Sequence, residues 1–457
     1  MINFEAQSEF PVSVETLFDW HERPGAFARL APPWQTVRLV KHEGGIRDGA
    51  RVEVETRVAG VPQSWKIRHE GFDYGKRFVD VLDSGPFRAW RHEHLFSHLA
   101  ETRSSLEDRL KIEPMGGGFG NWLQAGFLRG ELKQVFKYRH SVLKADLERA
   151  KAMGDPAYSG KVLVTGVTGL LGKAVAGYLQ TRGYQVVGVS RSGRSPWPGI
   201  ETIAWDPDNQ LIDSGALDDV DVVINLAGES ILGAWSQSKM KRVRSSREKS
   251  ASTLIHAFES NGHWPKLWIN ASGTGYYGPK PSGAVSEQSE SGTGFLAHVC
   301  RSWEGILDPI RKRTRVVSAR LGAVMSPGGG ALSIMLPVFK MGGGGVLGNP
   351  DAKMPWIALD DVVYAMESLF YKDVEGPVNF VSPHKITQRD LAKVLSKVLR
   401  RPSLIPAPES LIKMTLGSLG KEVFLIDQDV DPEILQTSGF EYSHSSFERM
   451  LKHSLGI

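Results

Sequence analysis

Thr165-Gly166-Val167-Thr168-Gly169-Leu170-Leu171-Gly172 reads TGxxGxxG between an apolar run, KVLV, and a helical stretch, GLLGKAVAGYLQTRG. Glycines at this spacing permit a tight turn and a close backbone approach, and the following helix presents its positive end to a pyrophosphate. Three glycines alone say little. The strand–turn–helix context assigns Gly166, Thr168, Gly169, Leu170, Leu171 and Gly172 to a dinucleotide, the alternative being a purely structural turn. The next strand-like run, QVVGVSR, ends in Ser190 and Arg191, where a carboxylate for the ribose 2′-hydroxyl would stand about 20 residues past the glycines. A guanidinium there suits a 2′-phosphate, to which it can donate two charge-assisted hydrogen bonds. The expected cofactor is therefore NADP (NADPH), with Arg194 as a second cation; otherwise Arg191 is merely solvated. Asp206, in AWDP, is expected at the adenine amine. Leu226, Ala227 and Gly228 close the run VVINLAG with small residues against the cofactor, and Arg247, in SSREKS, either approaches a phosphate or faces solvent.

The elements that must hold these residues follow from the rhythm of the chain. From Lys161 onward, KVLVTGV, QVVGVSR, DVVINLAG, KLWINASG and RVVSARLG alternate with helical stretches, which predicts an α/β, Rossmann-like doubly wound parallel sheet over 161–384. Beyond Gly322 come two glycine-rich stretches, PGGGAL (327–332) and MGGGGVLGNP (341–350), which either close over a substrate or are plain turns. Residues 385–457 read as mixed helices and turns that complete a substrate lobe.

Residues 1–150 have a different character. Short helices broken by prolines (SVETLFDWHERPGAFARLAP) precede strand-like runs such as RVEVETRVAG, SWKIRHEGF, RFVDVLDSG and SSLEDRLKIEP. Their period-2 alternation predicts an antiparallel sheet with one buried face. Residues 121–150 carry helical spacing and read as one long helix, and 151–160 as a linker. In RAWRHEHLF, His92 and His94 flank Glu93 and share a strand face, with His98 further on. A metal needs a third ligand that the sequence does not supply, so no metal site is assigned; cavity lining or cross-strand pairing is the ordinary alternative.

The 457 residues are too many for one ordinary domain. With 41% hydrophobic and 23% charged residues the composition is globular, and a net charge of +4 with no basic, aromatic-interleaved stripe argues against nucleic acid as a partner. No apolar run of about 18 residues argues for a membrane span. No signal-peptide pattern opens the chain, and the single Cys300 excludes an internal disulfide, so a cytoplasmic location is expected.

TGVTGLLG, NLAGES, the SSREKSAST helix, SGTGYYG, RLG and MPWIALDDV resemble the extended short-chain dehydrogenase/reductase superfamily. They are most similar to its atypical epimerase-family, or cell-division-inhibitor-like, branch. The segment 1–150 resembles a START-like (polyketide-cyclase-like) helix-grip domain, which implies a cavity for an apolar ligand. Typical extended members use a Ser or Thr, a Tyr and a Lys, the last two four residues apart on one helix face. Here GFLAHVCRSWE (294–304) occupies that place and holds neither Tyr nor Lys. One formal YxxxK exists, Tyr276 to Lys280, but Gly278 and Pro279 interrupt it and forbid a regular helix. The remaining catalytic candidates are Tyr276 and Tyr277, with Ser272 and Thr274 flanking the expected hydroxyl position. Glu229 is either an acid–base group or a first-turn carboxylate favoured by a helix dipole. His298 and Cys300 fall on the right helix, Cys300 among apolar neighbours. The expected function is an NADP(H)-binding epimerase- or reductase-like protein acting on a small molecule. The alternative is a non-catalytic NADP(H)-dependent sensor, to which a cell-division role would belong.

Overall fold

The computed structural model describes residues 1–58, 61–115, 120–279, 283–403, 405, 409–410, 414, 420–444 and 446–457. The first seven strands are β1 (Ile2–Phe10), β2 (Val37–Glu43), β3 (Arg51–Val58), β4 (Val61–Asp73), β5 (Arg77–Ser84), β6 (Phe87–Ala100) and β7 (Arg103–Pro114). They form one antiparallel sheet in the order β1-β7-β6-β5-β4-β3-β2. β1 shows how the pattern sets the face: INFEAQSEF buries Ile2 and Phe10 and turns Asn3, Glu5, Gln7 and Glu9 outward.

Two short helices follow β1, α1 (Val14–Glu22) and α2 (Ala26–Leu30). Ser13 caps α1 by accepting from the Thr16 amide. The helix stops at Arg23, which is extended as expected before Pro24. The helix α3 (Gly120–Met153) then lies on the sheet, sinking Phe136, Leu143 and Leu147 into its buried face.

A second sheet has eight strands: β8 (Lys161–Thr165), β9 (Val186–Ser190), β10 (Glu201–Asp206), β11 (Leu211–Ile212), β12 (Val220–Asn225), β13 (Leu267–Gly273), β15 (Arg315–Leu321) and β19 (Gly376–Phe380), in the order β11-β10-β9-β8-β12-β13-β15-β19. All pairs are parallel except β10 with β11. This is the Rossmann-like α/β sheet. Its strands are buried on both faces, and alternation divides their side chains between two cores. Val162, Val164, Val222 and Ile224 pack with α4 (Leu170–Arg182) and α8 (Leu359–Ser368). Leu163, Val223 and Trp268 pack with α5 (Gln237–Asn261) on the opposite face.

Smaller pairs, β14 (Ala284–Val285) with β21 (Asp429–Val430), β16 (Ala323–Ser326) with β18 (Trp356–Ala358) and β17 (Lys353–Met354) with β20 (Ile386–Thr387), build a lobe beyond the strand ends. This lobe also contains α6 (Phe295–Gly305), α7 (Gly330–Lys340) and α9 (Gln388–Leu399). The stretch PGGGAL is no free loop. Gly330 opens α7, and the backbone at Gly328 and Gly329 lies close against Pro33 and Leu170.

The antiparallel sheet and its helices dock on the parallel one. α2 lies against α4 so closely that a Cβ at Gly25 would sit 2.1 Å from the Gly177 carbonyl oxygen. Arg29 of α2 donates to Asp146 of α3 at 2.8 and 2.9 Å, and to Asp360 of α8 at 2.6 Å. Among the described residues no helix is long and apolar enough to cross a membrane.

Candidate functional site: a dinucleotide cleft

The glycine turn is built as its sequence requires. Gly166 has φ +64°, a left-handed conformation that favours glycine, and its carbonyl accepts the Gly169 amide at 2.9 Å. A Cβ on Gly172 would lie 2.2 Å from that same carbonyl oxygen, so α4 can start this close to the turn only with glycine there. Beneath the turn, the Thr165 hydroxyl accepts the amides of Leu226 and Ala227 at 3.0 and 3.1 Å and donates to Asn225 at 2.7 Å. Asn225, fully buried, reaches on to Asn270 at 2.8 Å. This polar stitch fixes the ends of β8, β12 and β13 relative to one another.

The turn opens on a cleft of about 330 Å³ beyond the carboxyl ends of the strands, where open α/β sheets bind ligands. Gly166, Thr168, Gly169, Ser190, Arg191, Leu226, Ala227, Gly228 and Glu229 all line it. Ser190 donates to the Arg194 carbonyl at 3.2 Å, which shapes the loop after β9. Arg191 is exposed at the rim and makes no ion pair among the described residues, whereas Arg194 is not part of the lining.

Other expected residues lie elsewhere. Asp206 turns its carboxylate back onto its own loop, accepting from the Asp208 amide and the Asn209 side chain; Asp208 lines the cleft in its place. Arg247 does not line the cleft. Its guanidinium donates to the carbonyls of Glu229 and Val243 and lies over the Trp303 ring, so it holds the Gly228–Glu229 corner instead of a phosphate. The side chain of Leu170 packs toward Gly328 and Gly329, and Leu171 joins the core, so these two serve the turn through their backbone.

Arg242, Ser245, Ser246, Lys249 and Ser250 of α5 also line the cleft and were not singled out from the sequence. Their signal was present: steps of three, four and seven residues put Arg242, Ser245, Ser246 and Lys249 on one helical face, and Arg247 falls off it. Lys249 reaches Asp208 at 2.5 Å.

Apart from Glu229, the catalytic candidates do not line this cleft. Glu229 meets Lys239 at 2.8 Å and Arg242 at 3.7 Å. The Lys239 hydrogen bond above all, against a smaller effect of burial, holds its pKa below the usual carboxylate value, so it stays ionised. Tyr277 is buried, its hydroxyl donating to Asn379 at 2.7 Å and accepting from Arg320 at 3.0 Å; burial raises its pKa. Tyr276 lies under the same guanidinium at 3.5 Å from ring centre to Cζ. Ser272 donates to Glu304 at 2.6 Å, and Glu304 forms a two-pronged pair with Arg320. Thr274 is buried, its carbonyl accepting from Gln428 at 3.0 Å. The segment Thr274–Tyr277 is a single 3-10 turn ended by Gly278, and Lys280 lies outside the described residues.

The helix α6, where a Tyr–Lys pair would stand, starts on the carboxylate of Glu422, which accepts the amides of Phe295 and Leu296 at 3.0 and 2.8 Å. Cys300 is buried there. Desolvation, with the Glu304 charge adding to it, pushes its thiol up to about 11, so it is protonated and not a nucleophile near neutral pH.

Sequence comparison shows what this arrangement belongs to. The NAD dependent epimerase/dehydratase family matches residues 162–381. The mouse epimerase family protein SDR39U1 is 35% identical over 302 residues, which cover 64% of this chain and 98% of that protein. The chain belongs to this epimerase family. Among solved structures, human epimerase family protein SDR39U1 with NADPH aligns over 65% of this epimerase-family chain and 99% of its own, with 30% identity and a TM-score of 0.57. The nucleoside-diphosphate sugar epimerase from Corynebacterium glutamicum aligns over 99% of this chain and 90% of its own, with 27% identity and a TM-score of 0.79. The similarity to the Corynebacterium protein therefore extends over the antiparallel sheet as well as the dinucleotide cleft.

Proposed function

We propose that this epimerase-family chain binds NADP(H) and acts on a small molecule as a reductase- or epimerase-like protein without the usual Tyr-x-x-x-Lys pair. One observation carries the cofactor choice: β9 ends in Ser190 and is followed by Arg191, without a carboxylate, on the same cleft as the glycine turn. The residues fit the group. Glycine at 166 and 172 leaves room for close backbone approach, and Arg191 has no competing ion pair among the described residues. The amides of the turn and the start of α4 would hold the pyrophosphate, and Arg191 the 2′-phosphate. Arg242 and Lys249 add positive charge along the lining. When bound, the nicotinamide supplies hydride transfer. The relative solved with NADPH supports the same choice. A cytoplasmic setting, where NADPH is at hand and Cys300 stays reduced, accords with this reading.

Nucleoside-diphosphate sugars, suggested by the Corynebacterium relative, head the substrate panel. The test loads the protein with NADPH or NADP⁺ and follows nicotinamide absorbance and sugar configuration against that panel and against simple carbonyl compounds. Substrate-dependent turnover that survives Tyr277→Phe is the expected result. Binding without turnover across the panel would favour a second reading, an NADP(H)-binding sensor. That reading draws on a specific observation: the hydroxyls of Ser272 and Tyr277 are bonded elsewhere, and neither these residues nor Thr274 and Tyr276 line the cleft.

We read the first 150 residues as a START-like helix-grip unit, which the strand order and the overlying helix support. The cavity beside His94 under that helix is about 10 Å³, room for about one water molecule. An apolar ligand there requires α3 to part from the sheet.

A further inference from the structure

The covered face of the antiparallel sheet carries ionisable groups where apolar side chains would pack. Strand register puts His69 opposite Asp80, Asp80 opposite His92, and His94 opposite Asp108. His69, His92, His94 and Asp108 are each less than 9% exposed. Burying such groups is costly unless they are paired or hold an ion.

The distances divide into two kinds. Toward Asp108 the contacts are short: His92 Nε2 and His94 Nδ1 each lie 2.8 Å from its Oδ1, and His140 Nε2 lies 2.6 Å from its Oδ2. Toward Asp80 they are long: Oδ2 is 3.7 Å from His92 Nδ1 and 3.4 Å from His94 Nε2. A charge-assisted hydrogen bond prefers about 2.7–2.9 Å. The edge of a tetrahedron of N and O donors around Zn²⁺, with bonds of about 2.0–2.1 Å, is about 3.3 Å. One donor atom from each of Asp80, His92 and His94 lies within 4.8 Å of the other two. Each imidazole thus turns one nitrogen toward Asp80; His92 gives its other nitrogen to Asp108 in a hydrogen bond, as metal-bound histidines do, while His94 Nδ1 lies near Asp108 without hydrogen-bond geometry.

We propose that Asp80, His92 and His94 form a site for a borderline divalent transition ion of the Zn²⁺ type, with Asp108 as the outer carboxylate that orients the His92 imidazole. Two nitrogens and one oxygen suit such an ion better than Mg²⁺ or Ca²⁺, which take oxygen ligands. His69 Nδ1 lies 3.1 Å from Asp80 Oδ1 without hydrogen-bond geometry, so both atoms are left unpaired inside the cluster. The neighbouring cavity, lined by His94 and Asp108, admits about one water, enough for a fourth ligand; the ion would tie β5 to β6 and, through Asp108 and His140, to β7 and α3. A second cluster, Asp360 with His444 and His453, has the same composition. There the Arg29 guanidinium already lies 2.6 Å from Asp360, and a further cation is repelled.

The experiment uses full-length protein stripped with a chelator and titrated with Zn²⁺ against a chromophoric competitor, then with Co²⁺ to read geometry. One Zn²⁺ per chain, a rise in Tm on binding and intense four-coordinate Co²⁺ bands are expected. Asp80→Asn and His92→Gln should each weaken Zn²⁺ by at least about 100-fold, more than loss of an outer-sphere partner does, and His444→Gln should leave it unchanged. Far-UV circular dichroism, unchanged in all three, reports that the antiparallel as well as the parallel sheet of each variant folds. Absence of stoichiometric Zn²⁺ in the wild type, six-coordinate Co²⁺ bands, or binding lost in His444→Gln and kept in Asp80→Asn would overturn the proposal.

Discussion

Tyr277 and Arg191 show how much a residue's role depends on partners remote in the chain. Tyr277 stands where a family tyrosine could act, yet its hydroxyl is bonded to Asn379 and Arg320. The sequence could not reveal this, because those partners come from β19 and β15. Tyr277→Phe therefore acts on stability: removing a buried, doubly bonded hydroxyl should cost about 1–3 kcal/mol, read by urea denaturation, while NADPH affinity stays within about two-fold. A large loss of affinity at unchanged stability would return Tyr277 to the cofactor site. The place of Arg191 on the cleft was legible because it is set by position alone, just past the second strand after the glycines. Arg247 was not, since its orientation depends on how α5 is rotated against β12, and that is set by packing of Ala251, Leu254 and Phe258.

At the scale of elements, the β8–turn–α4 unit was readable because its constraints are local. Backbone crowding demands glycine, and glycine is visible in the sequence. Gly172→Ala should abolish measurable dinucleotide binding, since a Cβ 2.2 Å from a backbone carbonyl forces the turn and helix apart; isothermal titration with NADPH checks this. The α5 face of Arg242, Ser246 and Lys249 was legible in spacing but needed the cleft to give it meaning. The cluster of Asp80, His92, His94 and Asp108 was half visible: the HxH spacing shows two imidazoles on one face, while their partners are cross-strand neighbours in β5 and β7 that no local pattern announces.

At the scale of the molecule, the two sheets act as one body through a buried ionic junction. Arg29 and Asp146 are almost fully buried, and Asp360 and Tyr364 complete the set. Arg29→Met leaves two carboxylates without their cation and should destabilise the docked state by about 3–5 kcal/mol, splitting calorimetric unfolding into two transitions; a single unshifted transition would refute this.

His444 adds a pH dependence to the same junction. Burial opposes its charged form, but the carboxylate of Asp360, 4.0 Å away, and the charge of Asp361 outweigh it and raise its pKa above 6.5. Its contribution is therefore fully present below about pH 6.5, the unfolded value, and is lost as the pH rises through the folded value. Tm should fall with rising pH above 6.5 more steeply in the wild type than in His444→Gln, and equal slopes would contradict the assignment.

The proposed function follows from the cleft holding NADP(H) through Arg191. The direct measurement is a fluorescence titration of the wild type and Arg191→Ala with NADPH and NADH at one salt concentration. The wild type should prefer NADPH. Arg191→Ala should lose about 10–100-fold in NADPH affinity, the worth of a charge-assisted contact of about 1.5–3 kcal/mol, with NADH binding little changed. Equal affinity for both cofactors in the wild type, or an Arg191→Ala variant that binds NADPH as the wild type does, would contradict the assignment of the 2′-phosphate to Arg191.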